Sequence, residues 1–182
     1  ARGTTSPSCF GDSDEYEVIA SMHIRFARVE DVERLAELWL DLYRMTAHFS
    51  FMRGIQAGAE ERLRAKVAHA LRQHNEAIFV AEDGGGALVA MQWVAIQRSD
   101  IVIPERKAYL WNSYVVPSHR RQGYMRALME ACERWIQEQG VELGTLWTDD
   151  HTDVSERTFR ALGYEREGYF MLTKTLARSP SG

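Results

Sequence analysis

No stretch of this sequence offers the roughly 18 to 20 consecutive apolar residues that a membrane-spanning helix needs, so no membrane partner is expected. The N-terminal region lacks a charged segment followed by an apolar one, which makes secretion unexpected and a reducing, cytoplasmic setting the expectation. Cysteine is scarce. The two that occur, Cys9 and Cys132, have no metal-ligand spacing, so no metal is expected, and Cys132 lies in an amphipathic stretch where it reads as a small core hydrophobe. There is no surplus of basic residues: 22 Lys and Arg stand against 26 Asp and Glu, a formal net charge of -4. A general nucleic-acid binder needs the opposite balance to displace counterions from phosphates, so that class is set aside and any basic cluster is local.

What is present fits one well-packed unit. The length of 182 residues suffices for one core and falls short of two ordinary ones, and 45% of the residues are hydrophobic. Residues 1–21 are rich in Ser, Gly, Thr and acids without a periodic apolar face, and read as a tail outside a single domain at 22–182.

Periodicity then gives an element order. Residues 23–27 read as a short strand, and Asp31 as the N-cap of a helix carrying Val32, Leu35, Ala36, Trp39, Leu42 and Tyr43 at helical spacing. A second helix is expected over 59–73. Between the two, HFSFMRGIQAG is aromatic and broken by glycine, a candidate lid. Strands are expected at 77–82 and 88–97, joined by a turn at Asp83-Gly84-Gly85-Gly86, and at 109–116, where Pro117 stops the strand. The clearest helix follows, with Met125, Leu128, Met129, Cys132, Trp135 and Ile136 on one face and Gly140 at its end. A strand at 143–148, a helix at 154–162 closed by Gly163, and a final strand or hairpin at 164–176 complete an α/β layer structure, a mixed sheet covered by helices.

The segment Pro117-Ser118-His119-Arg120-Arg121-Gln122-Gly123-Tyr124-Met125 joins a buried strand to that helix. First-turn amides have no acceptor within their own helix and bind anions, Gly123 allows close approach, and His119, Arg120, Arg121 and Arg126 concentrate positive charge. A pyrophosphate suits such a seat. A plain structural reading, with Gly123 relieving crowding and the arginines solvated, stands beside it.

The stretch YVVPSHRRQGYMRALM resembles the coenzyme A signature of the GNAT superfamily of acyl-CoA-dependent N-acyltransferases, Gln/Arg-x-x-Gly-x-Gly/Ala. Arg120 and Gly123 match its first and fourth positions, and Met125 stands at the sixth. The resemblance extends through Ile24-Arg25 and Val29-Glu30-Asp31-Val32 and covers 22–176. It implies a mostly antiparallel sheet splayed at its middle and flanked by helices. It also implies acetyl-CoA as acyl donor, with Val115 and Val116 binding the pantetheine arm and polarising the thioester through main-chain groups. The amides of Gln122, Gly123, Tyr124, Met125 and Arg126 would hold the pyrophosphate, with Arg120 or Arg121 supplying charge.

Direct attack needs a neutral amine, yet an alkyl ammonium with a pKa of about 10.4 is deprotonated only about once in a few thousand at pH 7. Candidate bases are Asp149, Asp150 and His151, just past the strand ending at Thr148. Asp150 or Asp153 serves equally as a helix cap, and His151 as a solvated loop residue. In the family the thiolate is often protonated by a Tyr four residues before the Gly of a terminal Gly-Phe pair; here Gly163-Tyr164 resembles that pair, and the position falls on Phe159. Ser155 and Tyr164 are the candidate substitutes. His48, Phe49, Trp93 and Phe159 are candidate walls of an acceptor pocket, to which Trp39, Tyr43 and Phe51 could add aromatic surface, although rings at helical spacing also suit a core. Asp149, Asp150, Asp153 and Glu156 suggest a cationic small-molecule amine as substrate. A coenzyme A-binding sensor and an acyltransferase acting on protein N-termini or lysines remain as alternatives, and a homodimer remains open.

Overall fold

The computed structural model describes residues 22–46, 54–101, 103–147 and 153–167, side chains excepted at 153–155. The tail at 1–21, the centre of the expected lid at 47–53, residues 148–152 and the end of the chain from 168 lie outside the described residues.

Five strands form one sheet in the order β1-β2-β3-β4-β5: β1 His23–Phe26, β2 Glu76–Glu82, β3 Leu88–Arg98, β4 Arg106–Val115 and β5 Gly144–Leu146. The first three pairings are antiparallel and the β4-β5 pairing is parallel. Strands β2 and β3 are apolar almost throughout because both faces of the sheet are covered, and such strands lose the alternation of a half-exposed one. Alternate residues then serve different cores. Phe79 and Ala81 pack beneath α3 (Tyr124–Glu138), whereas Ile78 and Val80 pack beneath α1 (Val32–Thr46) and α2 (Ala59–Ala70).

On the α3 side, Leu128, Met129 and Cys132 are fully enclosed and Trp135 and Ile136 nearly so, the stripe expected from their spacing. Burial pushes the Cys132 thiol well above its ordinary pKa, in keeping with a packing role. On the other side Leu35 and Leu38 of α1 meet Leu63 and Val67 of α2. Each such leucine contributes about 1.5 to 3 kcal/mol through burial. The β2-β3 turn forms as expected: the Asp83 carboxylate accepts from the amides of Gly85 and Ala87, and Gly86 takes the positive φ of 80° that favours glycine.

Several boundaries differ from expectation: α2 ends at Ala70 and not at 73, and β4 starts at Arg106 and not at 109. Asp31 is not the N-cap of α1: a 3₁₀ turn at Val29–Asp31 comes first, and Asp31 reaches back to accept the Arg28 amide at 2.7 Å. Its carboxylate is also held by two hydrogen bonds from Arg25, at 2.7 and 3.0 Å, a partner supplied by β1. At the other end, residues 164–167 are not a strand. Helix α4 spans Asp153–Arg160, and Gly163 donates to Arg160 O just beyond it.

Candidate active site

Among the described residues, β5 accompanies β4 over only part of its length. They pair only at Ala108-Gly144, Tyr109-Thr145 and Leu110-Leu146, after which β4 runs on to Val115 with β3 along its other edge. Among the described residues nothing pairs with the β5-facing edge of β4 beyond Leu110. The Val116 amide is committed to Val89 O at 2.9 Å. By the alternation of an antiparallel ladder, the neighbouring amide of Val115 faces the open edge. The Val116 amide is thus bonded within the sheet, whereas the Val115 amide is directed away from β3.

A bulge interrupts β4 just beyond its pairing with β5. Trp93 pairs with Trp111 and Met91 with Tyr114, so Asn112 and Ser113 together face the single residue Gln92. Gln92 is fully buried and clamps the irregularity. Its Nε2 donates to Trp93 O at 2.9 Å and Trp111 O at 3.1 Å, and Ser113 Oγ donates to its Oε1 at 2.5 Å. Asn112 takes φ of 55°, a conformation Asn tolerates better than most residues. Its Nδ2 is buried and has no partner among the described residues.

From Val115 the chain passes through a 3₁₀ turn at Pro117–His119 into the loop before α3. Gly123 is the N-cap of α3, at φ of 89°, and no side chain caps the helix. Space does not demand glycine there, since an added Cβ would meet only Met22 Cε at 4.0 Å; the backbone conformation does. The first-turn amides of Tyr124, Met125 and Arg126 thus face the loop without acceptors from their own helix. Gln122 braces the loop by donating from Nε2 to Ser118 O at 3.0 Å. His119 ties it to the β2-β3 turn, its Nε2 lying 3.4 Å from Asp83 Oδ2. The Met125 side chain packs against the α3-side core.

The two arginines of the motif part company. Arg120 folds over the end of β4: Nε donates to Val115 O at 3.0 Å, Nη2 lies 3.1 Å from Met45 Sδ, and the guanidinium stands 6.0 Å from the Tyr114 ring centroid. Arg121, at φ of 63°, and Arg126 are exposed at the loop.

Trp93 is buried rather than lining an open wall. Its ring lies 5.0 Å from that of Trp39 and 5.7 Å from that of Trp111, and its indole N-H donates to Glu76 Oε2 at 2.9 Å. Trp111, half-buried, is the member of this stack on β4. Phe159 is buried in the α3-side core with its ring 6.2 Å from that of Tyr164. Burial and the facing Glu133 carboxylate raise the Tyr164 phenol above its ordinary pKa. Asp149, Asp150, His151, His48 and Phe49 lie outside the described residues; Ser155 falls in α4, with its side chain outside them. The bulge at Asn112 and its clamp by Gln92 do not show in the sequence pattern of β4. The one signal was Gln92, a lone polar residue inside the apolar run LVAMQWVAI.

Among the described residues, the part of β4 that β5 leaves unpaired runs toward an α3 start that no side chain caps and that has Arg121 and Arg126 exposed beside it. The profile of the Acetyltransferase (GNAT) family matches residues 32–164, and the chain belongs to that family. It is accordingly an acyltransferase. The chain is 26% identical over 154 residues to an uncharacterized N-acetyltransferase, YhfO, of Bacillus subtilis (strain 168), covering 82% of this chain and 94% of the relative. It is 30% identical over 123 residues to an aminoglycoside N(6')-acetyltransferase type 1 of Serratia marcescens, covering 66% and 84%. A crystal structure of a predicted acetyltransferase with acetyl-CoA from Clostridium acetobutylicum shares the fold, with a TM-score of 0.70, 14% identity and coverage of 85% of this chain and 96% of that one. No helix among the described residues is long and apolar enough to cross a membrane.

Proposed function

We propose that the protein moves an acetyl group from acetyl-CoA to an amine of a small, cationic substrate by direct attack within a ternary complex. The observation that carries this reading is the continuity of the open β4 edge with the uncapped start of α3. The amides of Gln122, Gly123, Tyr124, Met125 and Arg126 would hold the diphosphate, with Arg121 and Arg126 adding charge. Arg120 has a different task, closing the Val115 carbonyl so that only the Val115 amide of that residue faces the arm.

The thioester carbonyl gains negative charge as the amine attacks, and a fixed main-chain donor stabilises that charge without reorganising. Asp149, Asp150 or His151, at the C-terminal side of β5, would take the amine proton. Tyr164 shares its hydroxyl with Glu133, so the thiolate leaves without it, which a leaving-group pKa of about 8.5 permits. The Serratia marcescens relative is named for aminoglycosides, polyamines whose ammonium groups suit the carboxylates at 149, 150, 153 and 156.

A thiol-release assay with acetyl-CoA over a panel of aminoglycosides, polyamines and amino sugars tests the reading. Release above hydrolysis with at least one polycation, and initial-rate patterns that intersect, are expected. Parallel patterns would remove direct attack. Coenzyme binding without release for any amine would favour a sensor, and release only with peptides would move the acceptor to protein.

A further inference from the structure

Asn112 combines three observations, each uncommon. It occupies a left-handed backbone conformation at φ of 55°, it lies in a strand bulge, and its side-chain Nδ2 is buried without a hydrogen-bond partner among the described residues. Buried donors are ordinarily satisfied, because an orphan forfeits its hydration with no return. Local strain and bulges both gather where a protein aims a group at a ligand. The bulge here is no packing accident. Gln92, itself fully buried, uses both ends of its amide to hold it, bonding Trp93 O, Trp111 O and Ser113 Oγ.

Position identifies what the donor would meet. A ligand anchored at the start of α3 and running along the open edge of β4 is stopped where β4 and β5 rejoin at Leu110-Leu146. Asn112 lies two residues, about 7 Å, short of that closure. The far end of the ligand, its reactive end, therefore comes to rest beside Asn112. Chemistry narrows the choice further. An attacking amine needs a proton acceptor, which an N-H group cannot be, whereas a thioester carbonyl needs a donor.

Resting on the acetyl-CoA reading above, we infer that Asn112 Nδ2 donates a hydrogen bond to the thioester carbonyl oxygen, alongside the main-chain amide of Val115. In the reaction the amine lone pair forms the new C-N bond while the carbonyl π pair moves onto oxygen. Collapse then breaks the C-S bond, the thiolate carries off that electron pair, and the amine proton goes to the base. Asn112 transfers no proton; its hydrogen bond strengthens as the oxygen becomes negative.

The test uses the full chain with Asn112→Gly, which accepts the positive φ and removes the amide group, and Asn112→Asp, which keeps the shape and loses the donor. Infrared difference spectra of acetyl-CoA labelled at the carbonyl carbon should show a lower carbonyl frequency bound to wild type than to either variant. With an acceptor found by the amine panel, kcat should fall about 10- to 100-fold while coenzyme A affinity, by calorimetry, stays within about twofold. An unchanged carbonyl band overturns the inference, as does a loss confined to the acceptor KM, which would assign the donor to the acceptor. If wild type binds neither coenzyme A nor acetyl-CoA, the coenzyme reading falls and takes this inference with it; if it binds both and the band is unmoved, only the inference falls.

Discussion

The starts of α1 and α3 face the same electrostatic problem and answer it in opposite ways. Each helix begins with unpaired amides and a partial positive charge. Before α1 the chain places a carboxylate of its own, Asp31 in the preceding 3₁₀ turn, whose charge opposes the positive end although it bonds none of the α1 amides. Asp31 accepts the Arg28 amide and two hydrogen bonds from Arg25, whose Nε and Nη2 also reach Glu82 Oε1, at 2.8 and 2.6 Å, across the β1-β2 pair. At α3 no side chain caps the amides, and the exposed charges nearby, Arg121 and Arg126, have the sign that makes the end more positive. The first arrangement stabilises the fold. The second leaves the positive end of α3 without a carboxylate from the chain, which is what the proposed coenzyme site requires.

The most severe way to break this contrast is to give α3 a carboxylate of its own. Gly123→Asp should weaken coenzyme A binding at least about 100-fold, or about 2.7 kcal/mol, by calorimetry. Gly123→Ala controls for the backbone, with an expected destabilisation near 1 kcal/mol. Equal affinities for the Asp and Ala variants would show that the loop amides do not hold the anion.

The converse change opens the α1 end. Asp31→Asn should cost about 2 to 3 kcal/mol in denaturant melts because a half-enclosed Arg25 loses its charged acceptor, with coenzyme A affinity unchanged. The Arg25 hydrogen bonds hold the Asp31 carboxyl below its ordinary pKa. A lowered folded pKa gives stability that is complete above the ordinary carboxylate value of about 3.9 and is lost as pH falls through the folded value. The gap between wild type and variant should therefore narrow below about pH 4. A gap independent of pH would assign the loss to packing.

Smaller effects sharpen the comparison at the surface. Arg121→Ala and Arg126→Ala should each raise the coenzyme A Kd by about three- to tenfold at low salt, with the difference shrinking toward 1 M salt as screening takes over. The smallest change in turnover is expected for Tyr164→Phe, whose kcat should stay within about threefold of wild type. Its signature is in stability. The raised phenol pKa means that the contribution of Tyr164 is complete below about pH 10 and is lost as pH rises through the folded value, so wild type should weaken in alkali more steeply than the variant. A large kcat loss would restore Tyr164 as an acid.

Much of this molecule is legible in one dimension. The stripe Leu128, Met129, Cys132, Trp135 and Ile136 fixes α3, the glycines after Asp83 fix the hairpin, and the segment from Pro117 to Gly123 fixes the start of α3. These depend on residues within one or two turns of each other. Asp31 was misread as a cap because its partners, Arg25 and Glu82, arrive from other strands. Arg120 and Arg121 are neighbours in sequence, yet only the packed end of β4 decides that one turns to Val115 O and the other to solvent.

The sequence by itself thus determined the layers, the order of the elements and the loop that leads into α3, because helical and strand periodicity and glycine's backbone freedom are local properties. Only the tertiary structure decided that the Val116 amide is committed to Val89 O, that Gln92 holds a bulge, and that Asn112 Nδ2 is buried without a partner among the described residues. Those facts depend on register between strands, and a shift of one residue in register changes which groups are paired and which are left to a ligand.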